Sequence, residues 1–370
     1  MVLSNSLRGK GRKLKKVLSA PTMVNFCITR RCNLRCKHCF AASQEELPEE
    51  LALSQLKFVI DRLNEAKVFT IIITGGEPLI RQDFFEIASY IKRYPIRLGL
   101  NTNANLVTDK VSKEIAELKI GARISVSLDG AGEQDYELLR GPKTFEPAIR
   151  GIENLFRYNK NIRLFCVVTK YNFRELEDII KLAKLLGAPY VEFNCLLRGE
   201  RSICYPSLFL EPEQKIESFE RIMELKEIYG SYIGGSFVRM AMKAKRLLST
   251  SDDELLKLKA GFLQNCDAGF GMAAIRPDGK VAPCYTMLDY TVGDLLKQSL
   301  KDIWQNSQSL QAFRRMHNVN LDEIEQCKNC IYKGLCNAGC RAGAYYYSQK
   351  TKLDTYDPEA CFLFLRKVSP

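Results

Sequence analysis

The chain has 370 residues, which is long for one domain and predicts one large and one smaller domain. Its 46% hydrophobic and 26% charged residues are typical of a globular protein. No apolar segment is long enough to be a secretory signal or to cross a bilayer, so we predict a cytoplasmic protein without a membrane partner. In a reducing compartment, the fourteen cysteines are candidates for metal binding rather than for disulfides.

The formal net charge of +12 raises the question of nucleic-acid binding. Much of the excess lies in residues 1–22, a predicted flexible basic tail, and cysteines that bind metal as thiolates would offset part of the rest. We therefore expect no nucleic-acid partner for the folded part. The tail is interpreted as a solvated arm, with a contact to an acidic partner or nucleic acid as the alternative. Its basic residues are Arg8, Lys10, Arg12, Lys13, Lys15 and Lys16.

Short β-branched segments alternate with amphipathic helical segments from residue 23 to about residue 200. Apolar residues spaced by three and four, such as Leu56, Val59, Ile60 and Leu63, are typical of helices packed on a sheet. Regular β-α repetition predicts an α/β fold with a parallel sheet and functional side chains at the carboxyl ends of its strands. Periodicity alone does not distinguish a partial barrel from an open, doubly wound sheet. The predicted strands are residues 24–28, 70–73, 97–101, 123–128, 163–169 and 190–196, and the predicted helices are residues 54–66, 83–93, 109–118, 145–157 and 173–186.

The first predicted strand runs into a loop with three cysteines in the spacing C-x3-C-x2-C, namely Cys32, Cys36 and Cys39. Three thiolates can hold three irons of a [4Fe–4S] cube, which leaves the fourth iron open to a chelating cofactor. A zinc site or a set of core cysteines is the alternative for so short a motif. Cysteines within predicted strands are expected to be buried structural residues. They are Cys27, Cys166 and Cys195.

Polar residues follow the next strands, at the edge where functional side chains are expected. Residues 75–78 (Gly-Gly-Glu-Pro) come after the second strand, and their glycines allow close backbone approach while Glu77 supplies an acidic group. Residues 101–103 (Asn-Thr-Asn) follow the third strand, Ser127 lies at the end of the fourth, and Arg140 comes shortly after. The alternatives are ordinary turn chemistry for residues 101–103 and a surface ion pair for Arg140.

The last third of the chain has a different character. Residues 201–262 are predicted to form a charged helical bridge, and residues 263–370 a second domain rich in loops. A region with so little apolar sequence cannot build a hydrophobic core of its own, so its cysteines imply that bound metal stabilises the fold. A zinc ribbon is the alternative to iron–sulfur clusters. These seven cysteines are Cys266, Cys284, Cys327, Cys330, Cys336, Cys340 and Cys361.

These motifs resemble those of the radical S-adenosylmethionine (SAM) superfamily, and the later cysteine spacing resembles its SPASM extension, which holds auxiliary iron–sulfur clusters. The resemblance covers nearly everything after residue 22. It implies a partial (β/α)6 barrel over residues 23–200 and a smaller SPASM domain over residues 263–370. It also implies that Cys32, Cys36 and Cys39 bind a [4Fe–4S] cluster whose open iron takes SAM. His38 departs mildly from the aromatic residue that the family usually has at that position.

The resemblance further implies which residues contact SAM. The Gly-Gly-Glu-Pro turn corresponds to the family motif that binds the SAM amino group. Ser127 and Arg140 correspond to residues that contact its carboxylate, and Asn103 to a polar residue near its ribose. The implied cofactor-binding residues are Gly75, Gly76, Glu77, Pro78, Asn103, Ser127 and Arg140.

By the same resemblance, the SPASM cysteines divide into ligands of two auxiliary [4Fe–4S] clusters. We call the two groups the distal set and the proximal set. The distal set is Cys327, Cys330, Cys336 and Cys361, and the proximal set is Cys266, Cys284 and Cys340. Some relatives supply a fourth proximal cysteine where this chain has Met272. The proximal cluster therefore has an open iron or takes a further ligand, which could be Asp267, Cys204 or Cys195.

The implied chemistry is reductive cleavage of SAM to a 5′-deoxyadenosyl radical, which removes a hydrogen atom from the substrate. Auxiliary clusters favour an oxidative outcome, such as a crosslink, a decarboxylation or a dehydrogenation. Tyr285, Asp289 and Arg198 are the candidate catalytic residues on the substrate side. Tyr285 stands where anaerobic sulfatase-maturing enzymes have an aspartate, which argues against that activity.

We therefore predict an oxidoreductase that modifies a side chain of a ribosomally made peptide or protein. One alternative is the tailoring, for example by decarboxylation, of a tetrapyrrole or another small cofactor precursor. Another is a non-enzymatic iron–sulfur or zinc-stabilised module, which would not need Gly-Gly-Glu-Pro or Arg140 at strand ends. The family implies an external one-electron reductant of the flavodoxin or ferredoxin type. Since only about 22 residues precede the barrel, a peptide-recognition domain is expected to be absent or a separate protein.

Overall fold

A β-sheet of ten strands runs through the computed structural model, which describes residues 17–41, 43, 50–263 and 266–366. The basic residues of the predicted tail lie outside this part of the chain. In chain order the strands are β1 (Met23–Cys27), β2 (Thr70–Thr74), β3 (Arg97–Thr102), β4 (Ile124–Ser127), β5 (Ile162–Val168), β6 (Val191–Cys195), β7 (Ile233–Gly234), β8 (Met272–Ile275), β9 (Lys280–Ala282) and β10 (Gly293–Asp294).

Twelve α-helices pack around this sheet within the described residues, together with short 3₁₀ turns. They are α1 (Leu53–Glu65), α2 (Phe84–Ile91), α3 (Asp109–Glu117), α4 (Glu133–Arg140), α5 (Phe145–Tyr158), α6 (Leu176–Leu185), α7 (Pro212–Tyr229), α8 (Ser236–Leu248), α9 (Asp252–Lys257), α10 (Leu300–Asn306), α11 (Gln308–Met316) and α12 (Arg341–Tyr347). None of the helices in this part of the chain has the length and apolar character needed to cross a membrane.

The first six strands form the predicted parallel sheet in sequential order. Their apolar side chains are buried, as along Ile71, Ile72 and Ile73 of β2, because helices cover the sheet. Each predicted strand and helix of this region is present, with ends that differ by at most three residues. Helix α4 and the two-residue strand β7, which extends the parallel series beside β6, were not predicted.

The sheet does not stop at the predicted boundary near residue 263. Strand β8 pairs in parallel with β1, with Met272 opposite Met23, and β9 and β10 then continue the sheet in antiparallel fashion. Ile275, Val281 and Trp304 join the main hydrophobic core. The cysteine-rich region after α11 adds Ile331, Tyr332, Phe362 and Leu365 to this core and also has small apolar clusters, one of which includes Leu321. The β-α rhythm therefore ends as predicted, but the two regions share one sheet and one core.

The loop after β1 is held against the turn after β2 by backbone contacts. The Gly76 amide donates a hydrogen bond to the Thr29 carbonyl at 2.8 Å, and the Glu77 amide donates one to Arg31 at 2.9 Å. A Cβ atom at Gly76 would lie 2.2 Å from the Arg31 carbonyl oxygen, and one at Gly75 would lie 2.4 Å from the Thr29 carbonyl oxygen. Only glycine allows the two segments to approach so closely, because a side chain would collide with backbone that cannot rotate away.

We expect Gly76→Ala to reduce the free energy of unfolding by about 1–3 kcal/mol, because the added methyl group forces the two backbone segments apart. The measurement is denaturant-induced unfolding of the anaerobic, cluster-loaded protein. Gly121→Ala is the matched control, since a Cβ atom there has no neighbour within 4 Å. Equal unfolding midpoints for the two variants would contradict the packing argument.

Candidate active site

The loop after β1 brings its three cysteines together. Cys36 and Cys39 lie close enough to Cys32 for a negative charge on either of them to raise its pKa, and Cys39 affects the pKa of Cys36 in the same way. Burial is the main cause that raises the pKa of Cys32 to about 12 and that of Cys36 to about 11. These thiols therefore stay protonated at neutral pH unless a metal displaces the protons.

The donors around this loop fit an iron–sulfur cluster. The Leu34 amide donates to the Cys32 sulfur at 3.4 Å, the Asn103 side-chain amide lies 3.9 Å from the same sulfur, and the Arg140 guanidinium lies 3.9 Å from the Cys36 sulfur. Donors aimed at sulfur stabilise the negative charge of cluster ligands. Among the described residues, no three His, Cys, Asp or Glu side chains are arranged around a single metal ion. In a four-iron cube, by contrast, each thiolate binds a different iron.

Glu77 is a buried carboxyl group beside this loop, with an exposure of 1%. It accepts hydrogen bonds from the Thr102 hydroxyl at 2.9 Å, the Asn103 amide at 2.8 Å and the Leu79 amide at 3.2 Å. Burial raises the pKa of Glu77 to about 7, although these hydrogen bonds oppose the shift. A cation bound next to Glu77 would therefore find an acid ready to ionise near neutral pH. Pro78 begins a 3₁₀ turn directly after it.

Asn103 lies next to the first cysteine, after the end of β3. Its side-chain amide donates to the Asn33 side chain at 2.9 Å, and its own side-chain oxygen accepts from the Asn105 amide. Ser127 is the last residue of β4 and is half-buried. The predicted SAM-contacting residues of the second, third and fourth strands thus all lie at the carboxyl edge of the sheet, as the parallel order requires.

Arg140 is buried and forms an ion pair with Asp129, which contradicts the alternative of a surface ion pair. Its Nε and Nη2 atoms lie 2.7 and 2.6 Å from Asp129 Oδ2, and its exposure is 5%. His38 Nε2 lies 3.1 Å from the same oxygen. Burial opposes the ionisation of Asp129, but the charges of Arg140 and His38 outweigh it and lower the pKa of Asp129. Neither Asp129 nor His38 was predicted as a site residue, and the signal for Asp129 is its place in residues 127–130 (Ser-Leu-Asp-Gly) at the end of β4.

The predicted distal set is brought together in space. The charges of Cys336, Cys330 and Cys361 act on Cys327, and that of Cys336 acts on Cys361. Burial raises the pKa of Cys327 to about 12. Four thiols from one loop and the chain terminus therefore converge, which is the donor set that a [4Fe–4S] cluster requires.

The three cysteines of the predicted proximal set also converge. The charge of Cys266 acts on Cys340, and that of Cys340 acts on Cys284. Of the possible fourth ligands, Cys204 is exposed, with its thiol 3.9 Å from the Glu200 carbonyl oxygen. Cys195 is half-buried, and the charge of Asp357 acts on it.

Asp357 is a buried acidic group at the proximal set that the sequence analysis did not single out. Its Oδ2 atom accepts a hydrogen bond from the Cys340 amide at 3.1 Å, and its Oδ1 atom accepts one from the Glu359 amide at 3.1 Å. Both oxygens are therefore engaged by backbone amides, and the contact with Cys340 fixes the start of α12.

A cavity of about 70 Å³ lies between the front cysteine loop and the segment that carries Cys284. It is lined by Phe40 and Ala41, which follow Cys39, and by Tyr285 and Asp289. The rings of Phe40 and Tyr285 pack edge to face, with centroids 4.5 Å apart. The remaining lining residues are Arg30, Glu200, Arg276, Pro277, Thr286, Leu288 and Tyr346.

Of the three predicted catalytic residues, Tyr285 and Asp289 are brought together at this cavity. The Asp289 carboxylate accepts a hydrogen bond from the Tyr346 hydroxyl at 3.0 Å and pairs with Lys350 at 2.6 Å. Arg198 does not line the cavity. Its guanidinium pairs at 2.6 Å with Glu359, which lies two residues before Cys361, the last cysteine of the distal set. The same guanidinium stacks over the Phe209 ring.

The chain matches the models of two protein families. Residues 26–183 match the model of the radical SAM superfamily, and residues 266–331 match that of SPASM, an iron–sulfur cluster-binding domain. An AdoMet-dependent heme synthase of Methanosarcina barkeri is 30% identical over 341 residues, which cover 88% of this chain and 93% of that protein. The mycofactocin maturase MftC of Mycobacterium tuberculosis is 26% identical over 351 residues, which cover 94% of this chain and 84% of that protein.

Solved structures show the same fold at lower sequence identity. SuiB of Streptococcus suis, solved bound to precursor peptide SuiA, has a TM-score of 0.71 at 16% identity, covering 93% of this chain and 76% of that one. The protein anSMEcpe, solved with bound AdoMet, has a TM-score of 0.67 at 22% identity, and the match covers 94% of this chain and 98% of that one. The family match rules out the alternative of a non-enzymatic module, and its cofactors are SAM and [4Fe–4S] clusters. This chain belongs to the radical SAM superfamily and is an enzyme of its SPASM subgroup.

Proposed function

We propose that this enzyme oxidises an organic substrate held in the cavity between the front cysteine loop and the Cys284 segment. The observation that carries the proposal is that residues next to Cys39 and residues next to Cys284 line the same space. A substrate there would lie between the source of the radical and an electron acceptor. When bound, SAM and the clusters would supply one-electron chemistry, namely removal of a hydrogen atom from the substrate and transfer of a substrate electron to an auxiliary cluster.

The residues around the front loop would hold and orient SAM. Cys32, Cys36 and Cys39 would bind the cluster, and the Glu77 carboxylate would take the SAM amino group. Thr102 and the Asn103 amide fix that carboxylate in place, so its position does not depend on the cofactor.

The SAM carboxylate would be held by Ser127 and Arg140, and Asn103 would lie near the ribose. Asp129 binds two nitrogens of Arg140, and the third nitrogen faces Cys36. The guanidinium is therefore fixed before SAM binds, which lowers the entropic cost of binding a carboxylate beside the cluster.

The two SPASM cysteine sets would hold two auxiliary clusters. The distal set provides four thiols, and the proximal set provides three. The fourth proximal position is either an open iron or a ligand from the protein, and an open iron could bind the substrate directly.

We propose a side chain of a ribosomally made peptide or protein as the substrate. The similarity to the mycofactocin maturase supports this assignment, as does the shared fold with a structure bound to a precursor peptide. Tyr285 and Asp289 would contact the substrate, since both line the cavity. A flavodoxin or ferredoxin would supply the electron, and a separate protein would present the peptide.

The second candidate substrate is a tetrapyrrole or another small cofactor precursor. The similarity to an AdoMet-dependent heme synthase and to an Fe-coproporphyrin III synthase, both of Methanosarcina barkeri, favours it. The experiment that decides between the candidates uses substrates labelled with deuterium. Transfer of deuterium into 5′-deoxyadenosine from a peptide supports the first assignment, and transfer from an iron porphyrin supports the second.

We expect the combined replacement of Cys32, Cys36 and Cys39 by alanine to abolish SAM cleavage and to leave the auxiliary iron in place. The wild-type protein should contain about twelve irons per chain and the variant about eight, because each cube holds four. The measurements are iron and sulfide content and 5′-deoxyadenosine formation under anaerobic reduction. Cys166→Ala is the control, since Cys166 is a buried residue of β5 and lies outside the cysteine sets. Cleavage that survives in the triple variant would refute the assignment of the front cluster.

We expect Glu77→Gln to weaken SAM binding by roughly 10- to 100-fold, the range for loss of a hydrogen bond to a charged group. Because the pKa of Glu77 is raised to about 7, the wild-type carboxyl must lose a proton to bind the amino group at lower pH. The wild-type affinity should therefore rise as the pH increases from 6 to 8, measured by equilibrium dialysis with cluster-loaded protein. The Glu77→Gln variant should lack this rise, and an equal pH dependence in both proteins would contradict the role of Glu77.

A further inference from the structure

Arg341 is a buried cation that lies directly after the last proximal cysteine. It is the first residue of α12, and its exposure is 3%. Its guanidinium donates hydrogen bonds to backbone carbonyl oxygens, at 2.6 Å to Ala338, 2.7 Å to Leu353 and 2.6 Å to Thr355. Its Nε atom is buried without a hydrogen-bond partner in the described part of the chain.

This guanidinium forms no ion pair with a carboxylate in the described part of the chain. The charge of Asp357 acts on it, but both oxygens of Asp357 accept hydrogen bonds from the amides of Cys340 and Glu359. Carbonyl oxygens satisfy N–H donors but do not neutralise a charge, and burying a charge is costly.

The backbone places Arg341 between the two auxiliary sets. Arg341 directly follows Cys340 of the proximal set. Its Nη2 atom donates to the Ala338 carbonyl oxygen at 2.6 Å, and the Ala338 amide donates to the Cys336 sulfur of the distal set at 3.4 Å. Burial lowers the pKa of Arg341, and the charges of Cys340, Asp357, Cys266 and Cys327 oppose that shift.

Arg314 is a second buried arginine of this chain, and its surroundings differ from those of Arg341. Arg314 is also buried, and it also donates to carbonyl oxygens, those of Gly269 and Trp304. Its guanidinium stacks over the Trp304 ring at 4.6 Å. Burial lowers its pKa to about 10, and no cysteine contributes to that shift. An aromatic face lies against Arg314, whereas Arg341 is bonded to the segment between Cys336 and Cys340.

We propose that Arg341 is the shared counter-cation of the two auxiliary clusters and makes both of them better electron acceptors. This inference rests on the proposed function, because it requires a cluster at each set. A fixed positive charge stabilises the more negative, reduced state of a cluster, and buried charges act strongly since little water screens them. Arg341 is a positioning residue in this role, since it acts on the clusters and touches no substrate.

The test is a redox titration of the auxiliary clusters, followed by electron paramagnetic resonance, in the full-length, anaerobically reconstituted protein. In Arg341→Gln, we expect the midpoint potentials of both clusters to shift to more negative values. The expected change in the equilibrium between oxidised and reduced cluster is roughly tenfold or more. Arg341→Lys keeps the charge and should retain most of the wild-type potential. Arg314→Gln is the matched control and should leave both potentials unchanged.

The outcomes separate the inference from the function on which it rests. If wild-type protein binds only about four irons, the auxiliary clusters are absent and the proposed function itself fails. If the clusters are present and Arg341→Gln titrates like the wild type, only the role of Arg341 is refuted. If Arg341→Gln loses iron, Arg341→Lys decides. If Arg341→Lys retains its iron and its midpoint potentials, the result supports the role of the positive charge. If both variants lose iron, Arg341 has a purely structural role at the carbonyl groups.

Discussion

The partial burial of three groups of cysteine thiols is the constraint on which the rest of this structure depends. Burial raises the pKa of Cys32, Cys327 and Cys340 to about 12, so that none of these groups can hold several thiolates without a metal. On the proposed ligand sets, iron would replace the protons and cross-link segments that are far apart in sequence, such as residues 327–336 and Cys361. Apart from a few residues that join the main core, the loops after α11 have small apolar clusters, so metal binding there would be coupled to folding.

The position of β1 explains how two metal-binding regions come to share one cavity. Because β1 lies between β2 and β8 and is parallel to both, the segments that follow these three strands emerge at the same edge of the sheet. The front cysteine loop follows β1, the Gly-Gly-Glu-Pro turn follows β2, and Arg276 and Pro277 follow β8. The last two residues line the cavity together with Phe40. The SPASM region is thus joined to the barrel by strand pairing, which fixes its cysteines relative to the front loop.

The sequence predicted the parts of this structure that depend on local pattern. The alternation of apolar segments located six strands, and short motifs located the front loop and its glycine turn. Helix α4 was missed because it is short and largely polar, although it buries Tyr136 and Leu139. Contacts between distant residues were also missed, because they depend on tertiary packing. Arg198 was expected at the substrate, yet it pairs with a carboxylate 161 residues later.

The distribution of buried cations gives a physical reason for part of the basic character of this chain. Arg140 lies at Cys36 and Arg341 lies between the auxiliary sets. The charge of Lys243 interacts with that of Cys336, and the charge of Lys215 with that of Cys361. Clusters ligated by thiolates carry negative charge, so these cations compensate charge that the formal value of +12 does not count. A net charge of this sign is therefore explained in part by cations near the cysteine sets, and it does not by itself indicate a surface for nucleic acid.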